Sequence, residues 1–251
     1  MTVDKALFGR TALVTGCNRG IGRAVAEEFA LQGANLVAHA RCEDPLFLSD
    51  MNELADLHGI DVRPVFFDLS DTESMKVEVK KILGSGIRVD VLVNNAGLAH
   101  GGLFQMTPIS KIREVFDVNF FAQLEMMQLL VRHMIRNQSG SIINVSSIAG
   151  IDLHAGNIAY GVSKTALIAA TKTIAAEVGA HGVRVNAVAP GLTKTDMFDE
   201  MEVKARTQMI DQSSMKRLAE IFEIAKAIAF LASDSASFIN GHVLRVDGGK
   251  G

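Results

Sequence analysis

Short runs of β-branched and apolar residues alternate along the chain with longer stretches in which apolar residues recur every three or four positions. The short runs are Thr11–Thr15, Asn35–His39, Val62–Phe66, Val91–Asn94, Ser141–Val145, Arg184–Val188 and His242–Val246, and each has the length of a strand. Helical spacing lies between them, as in Val25 and Phe29 or, later, Ile224, Ile228 and Leu231. Two helix starts carry their own signals. Thr107 followed by Pro108 predicts an N-cap oxygen before a proline at the first helical position. Ser70 with Glu73 reads as a capping box.

Strands that alternate with helices must run parallel and be joined by right-handed crossovers, with helices on both faces. The predicted fold is therefore a doubly wound α/β sheet of the Rossmann type, which binds ligands at the carboxyl ends of its strands. No Pro/Gly/Ser-rich linker, internal repeat or low-complexity tract interrupts the pattern, so residues 1–251 read as a single domain. The segment Met197–Met215 stands apart because it holds four of the eleven methionines mixed with charges. Methionine adapts to irregular apolar ligands, so this segment reads as a substrate lid, the alternative being a surface helix pair.

Composition narrows the class. A chain of 251 residues with 48% hydrophobic and 21% charged residues is an ordinary globular one. It can bury roughly three-quarters of its unfolded surface without help from disulfides or metals. A net charge of −3 offers no basic field to nucleic acid or an anionic membrane. Cys17 and Cys42 are too few for a disulfide framework or a structural zinc site and read as reduced thiols, as in the cytosol. MTVDKALFGR lacks a basic segment followed by an apolar stretch, and no run of eighteen apolar residues occurs, so a cytoplasmic protein is expected.

Candidate chemistry begins after the first strand. Gly16-Cys17-Asn18-Arg19-Gly20-Ile21-Gly22 lies between that strand and the helix Arg23–Leu31. Glycines there permit a tight turn and close approach of backbone to a pyrophosphate, whose charge the helix N-terminus favours. An NAD enzyme places an acid about twenty residues further on, to accept from the ribose 2′-hydroxyl. Here that position is Ala40, followed by Arg41, and Arg19 sits in the turn itself. Two guanidinium groups and no acid suit a 2′-phosphate, so NADP(H) is expected over NAD. Asp68, with Leu69, ends the third strand, where a carboxylate can accept from an adenine amino group. Asn94-Asn95-Ala96-Gly97 ends the fourth, where amides brace the strand beside the adenosine half.

Tyr160, the only tyrosine, and Lys164 are spaced i, i+4 in a helical pattern from about Asn157 to Ala180, and therefore share a face. A buried phenol beside a fixed ammonium is expected to have its pKa lowered from about 10, so that it can trade a proton near neutrality. Ser147 lies thirteen residues before Tyr160, just past the fifth strand.

Taken in order and spacing, TGCNRGIG, NNAG, Asn119, Ser147, the segment Tyr160-Gly-Val-Ser-Lys164 and Pro190-Gly191 resemble the short-chain dehydrogenase/reductase family over essentially the whole chain. The resemblance implies a seven-stranded parallel sheet and a tetrad of Asn119, Ser147, Tyr160 and Lys164. In it Tyr160 is the general acid–base, Lys164 holds the nicotinamide ribose and lowers the tyrosine pKa, Ser147 binds the substrate oxygen, and Asn119 anchors a proton-relay water. It further implies that Pro190, Gly191, Thr193 and Thr195 hold the carboxamide, and it calls for no metal. PGLTKTDM, FLASD and the closing VDGGKG are similar to bacterial 3-oxoacyl-(acyl-carrier-protein) reductases. That likeness implies a β-ketoacyl thioester as substrate, NADPH, an acyl-carrier-protein partner and a homotetramer. Its interfaces would be the helices beginning near Thr107 and Asn157, and the C-terminal strand and helix. Gln138 and His181 stand where such enzymes carry basic residues near the site entrance, with Arg136 and Lys172 nearby. Relatives acting on sugars, polyols or small ketones are the alternative, and a catalytically silent NADP(H)-binding sensor a distant one.

Overall fold

The structure, a computed structural model, describes residues 5–194, 210–211 and 213–250. Seven parallel strands form one sheet in the order β3-β2-β1-β4-β5-β6-β7. They are β1 (Thr11–Thr15), β2 (Asn35–Ala40), β3 (Val62–Phe66), β4 (Val91–Asn94), β5 (Gly140–Val145), β6 (Val183–Pro190) and β7 (Val243–Val246). β1, β3 and β4 have the bounds read from the sequence; β2, β5 and β7 differ by one residue at one end, and β6 is longer by one residue at its start and two at its end. The helices are α1 (Gly20–Leu31), α2 (Pro45–His58), α3 (Thr72–Gly84), α4 (Ile109–Phe116), α5 (Ala122–Arg136), α6 (Tyr160–Val178) and α7 (Ile221–Ala232).

The strand pleat distributes the core between two faces. In β1, Ala12 and Val14 join one cluster, with Val25 and Phe29 of α1, Met51 of α2, and Ile224, Ile228 and Leu231 of α7. Leu13, one residue out of phase, joins the other, with Val79 of α3, Met126, Leu130 and Met134 of α5, and Leu167 of α6. Burying each such leucine or phenylalanine side chain stabilises the fold by about 1.5–3 kcal/mol relative to leaving it in water. Strand order reverses between β1 and β4, and at such a switch point the connections diverge and leave a crevice at the carboxyl edge.

Two helix starts differ from expectation by one residue. Asp71, not Ser70, caps α3 and accepts from the Ser74 amide at 3.0 Å. Ser70 is drawn away because its amide and hydroxyl both donate to Asp68 at 2.8 Å, while Glu73 pairs with Lys76. At α4 the cap is Pro108, whose carbonyl accepts from Lys111 and Ile112. The Thr107 hydroxyl donates instead to the Leu103 carbonyl at 3.0 Å, closing the preceding 3-10 turn. α6 starts at Tyr160 rather than near Asn157, because Asn157 pairs in a bridge with Gly102.

Candidate active site

The glycine turn is built against the end of β4. The buried Thr15 hydroxyl accepts from the amides of Asn95 and Ala96 at 2.9 and 3.0 Å, and the Asn95 side-chain amide donates to the Thr15 carbonyl at 2.8 Å. Gly16 has φ +73° and Gly20 φ +56°, a region that favours glycine. A Cβ on Gly22 would stand 2.0 Å from the Gly16 carbonyl oxygen, so only glycine lets α1 begin this close to β1. Asn18 and Arg19 are exposed at the mouth of the turn, and Ile21 is half-buried beside them. Arg19 is the N-cap of α1, and its side chain does not cap the helix; the amides of a first turn have no partner within their own helix.

Ala40 ends β2 and the exposed Arg41 follows it. Asp68 lies just beyond β3, with buried Leu69 after it. The Ser70 amide, then its hydroxyl, and the charge of Arg41 hold the Asp68 carboxyl below its usual range against the opposing effect of burial. Arg41 thus lies close enough to Asp68 for its charge to be felt by the carboxyl. Asn94 turns inward instead: its amide donates to Asn144 on β5 at 2.8 Å, and Asn144 donates to Thr171 of α6 at 2.9 Å.

Asn119, Ser147, Tyr160 and Lys164, the expected tetrad, gather at the carboxyl ends of β4 and β5. Asn119 sits in a π-helical turn, Asp117–Phe121, between α4 and α5, a distortion frequent at functional sites. Its Oδ1 accepts from the Leu98 amide at 2.7 Å, and its Nδ2 donates to the Leu98 carbonyl at 2.8 Å and to Ser163 Oγ at 3.1 Å. One turn on, Gln123 donates to the Ala96 carbonyl at 3.0 Å. A Cβ on Gly97 would lie 3.0 Å from Asn119 Oδ1 and 3.5 Å from Lys164 Nζ. Lys164 is buried, donates to the Val145 carbonyl at 2.8 Å and lies 5.9 Å from the centre of the Tyr160 ring. Ser147 caps the 3-10 turn Ile148–Gly150 and accepts from the Ala149 amide at 3.1 Å. That turn presses on α6, since a Cβ on Gly150 would come within 2.9 Å of the Lys164 Cβ.

The expected lowering of the tyrosine pKa is corrected by the structure. Burial pushes the Tyr160 phenol up, and the hydrogen bond with Ser147 opposes that rise. The same burial pushes Lys164 down to about 8. Desolvation penalises both charged forms, so within the chain alone the pair favours a neutral phenol.

Pro190 ends β6, and Gly191 passes so close to the chain just beyond β7 that its Cβ would lie 2.7 Å from the Asp247 Cα. Thr193 is buried and its hydroxyl donates to the Gly191 carbonyl at 3.1 Å. Thr195 lies outside the described residues, as does most of the expected lid. The described end of that segment, Ile210 and Met215, borders a cleft of about 290 Å³ whose other walls include Ile148 and Leu192. Gln138 and His181 do not border this site. They precede β5 and β6, whereas Ser147 and Tyr160 follow the far end of β5, so the two sets lie at opposite edges of the sheet. Two residues that sequence reasoning missed are Thr15, which reads as an ordinary strand residue, and His39. The imidazole of His39 accepts from the Gly16 amide at 3.2 Å.

A family model described as enoyl-(acyl carrier protein) reductase matches residues 16–250. The 3-oxoacyl-(acyl-carrier-protein) reductase FabG of Thermotoga maritima is 37% identical over 97% of this chain and 98% of its own. This chain belongs to the short-chain dehydrogenase/reductase family. As a short-chain dehydrogenase/reductase it is an oxidoreductase that uses a nicotinamide cofactor. Solved structures agree on the fold. A putative NAD(P)-dependent gluconate 5-dehydrogenase from Beutenbergia cavernae, with bound NADP, has a TM-score of 0.90 and 33% identity, covering 98% of both chains. A putative β-ketoacyl-ACP reductase has a TM-score of 0.82 and 35% identity, covering 97% of this chain and 98% of its own. Among the described residues no helix is long and apolar enough to cross a membrane, and no cluster of three or more metal-ligating side chains occurs.

Proposed function

We propose that this enzyme reduces the 3-oxo group of a β-ketoacyl thioester to the 3-hydroxyacyl form with NADPH. The carrying observation is the placement of Ser147, Tyr160 and Lys164 around one point at the end of β5, beside the Gly97 approach to Lys164. The residues fit a dinucleotide, since Gly16 and Gly20 take the left-handed conformations of a tight turn and Gly22 lets α1 begin directly against it, which brings the first-turn amides to where a pyrophosphate would bind. The nicotinamide, when bound, supplies the hydride. Ser147 Oγ binds the substrate carbonyl oxygen and fixes it against the Tyr160 hydroxyl. A phenol kept neutral by burial is the correct form to donate a proton to that oxygen during reduction. The Lys164 ammonium holds the ribose hydroxyls and stabilises the phenolate left behind. Both amide hydrogens of Asn119 are used within the protein, so a relay water would rest on its backbone carbonyl.

Preference for NADPH is supported by Ala40 in place of an acid, with exposed Arg41 next to it and Arg19 in the turn. An acyl chain would lie against Ile148, Leu192, Ile210 and Met215 on one side of the cleft, whose other walls carry the charges of Arg217, Glu223, Arg245, Asp247 and Lys250. Docking of an acidic carrier protein has little support here: Arg136 ends α5 just before β5, at the same edge as Gln138, which leaves only the exposed Lys172 of α6. Leu103, Phe104, Met106, Ile109 and Phe121, each at least half exposed around α4, support one interface of a homotetramer. Phe222 and Phe230 of α7, with Phe238, support the other. The likeness to putative gluconate dehydrogenases favours a second reading, oxidoreduction of a sugar acid or polyol. Specificity constants for acetoacetyl thioesters, small ketones and keto-sugar acids under NADPH separate the two. The thioester must lead, and a leading keto-sugar acid would replace the first reading with the second.

A further inference from the structure

His39, the second-last residue of β2, is 2% exposed and lies where three segments of the nucleotide site converge. Its Nδ1 is 3.2 Å from the Gly16 amide, its Nε2 is 2.8 Å from the Phe67 carbonyl, and its own carbonyl accepts from the Cys17 amide at 2.8 Å. Its ring stacks on Phe67 with centroids 4.0 Å apart. An amide can only donate and a carbonyl can only accept, so the imidazole must be neutral, with its proton on Nε2. Burial pushes its pKa down to about 4, which keeps it neutral at physiological pH. On one side it grips the glycine turn. On the other it grips the residue before Asp68, and Arg41 follows it by two positions, just past the end of β2.

We propose that His39 is a positioning residue that sets the glycine turn, the end of β2 and the end of β3 in register to receive the adenosine half of the nucleotide. This rests on the nucleotide-binding reading above. An apolar residue of similar size would fill the volume but leave the Gly16 amide and the Phe67 carbonyl without partners. The turn and the Asp68–Arg41 pair could then shift independently, while Tyr160, Ser147 and Lys164, anchored through β5 and α6, would not.

The test measures binding of 2′,5′-ADP and NADPH to the full-length protein, together with kcat at saturating NADPH. His39→Leu is expected to raise the Kd of both ligands at least tenfold, with kcat changed less than twofold. His39→Asn, which can keep an acceptor toward Gly16, and His39→Gln, which can keep a donor toward Phe67, should each recover part of the loss. Nitrogen NMR of the wild-type imidazole, which does not depend on any variant folding, must show a proton on Nε2 and a shift at Nδ1 on adding 2′,5′-ADP. A leucine variant that binds 2′,5′-ADP within twofold of wild type overturns the proposal, as does a proton on Nδ1. Wild-type protein that binds neither ligand overturns the nucleotide reading itself.

Discussion

The Thr15 hydroxyl accepts two amide hydrogens from the Asn95-Ala96 backbone, eighty residues away in sequence, and Asn95 returns a hydrogen bond to the Thr15 carbonyl. This closed exchange joins β1 to β4 at the point where strand order reverses, so it fixes the crevice in which the nucleotide is proposed to lie.

Thr15→Val keeps the shape and removes the acceptor. Two part-buried amides then lose their partner, at a cost of about 1–3 kcal/mol each if water cannot reach them. For a chain of this length each kcal/mol lowers Tm by about 2–4 °C. Thermal unfolding should show a drop of several degrees, largely restored by Thr15→Ser; an unchanged Tm would show that water replaces the hydroxyl.

Nucleotide choice is tested at the end of β2. Arg41→Asp places a carboxylate after Ala40 and beside Asp68, where it repels a 2′-phosphate and can accept from a 2′-hydroxyl. The ratio of NADPH to NADH specificity constants should fall at least tenfold. A ratio that stays put would locate the phosphate elsewhere.

Lys164 sets an alkaline limit. Its pKa is depressed to about 8 against an ordinary 10.5, so it is charged below about pH 8 and loses its charge above it. The plot of kcat/KM for NADPH, which reports the free enzyme, should therefore fall as pH rises through about 8. Lys164→Arg should lose that limb, because a guanidinium stays charged there. The linked stability effect has its own sign. Between about pH 8 and 10.5 the unfolded chain binds this proton and the folded one does not, so this group's contribution to stability rises with pH.

Much of this was legible in the sequence because strand and helix periods are local signals. β1, β3 and β4 have the bounds that their residues predicted, and TGCNRGIG, Ser147, Tyr160 and Lys164 occupy strand ends or helix faces as their spacing required. What escaped was settled over distance or by competition. Ser70 looked like a cap until Asp68 claimed both of its donors, leaving the role to Asp71. Thr15 opens TGCNRGIG but nothing local marks its hydroxyl as a brace, His39 carries no motif, and their partners lie 78–81 and 23–28 residues away. The direction of the tyrosine shift was misjudged because i, i+4 spacing reveals the nearby ammonium but not the depth of burial, which dominates. Gln138 and His181 show a related failing: a position matched along the chain says nothing of which edge of the sheet it occupies until the strands are drawn.

The most direct test of the account is single-turnover reduction of an acetoacetyl thioester by Tyr160→Phe, with NADPH binding measured on the same preparation. Loss of at least a thousandfold in the chemical step, with the NADPH Kd within a fewfold of wild type, is the predicted result. Reduction at a rate near that of wild type would show that the proton comes from another group, and would contradict the account at its centre.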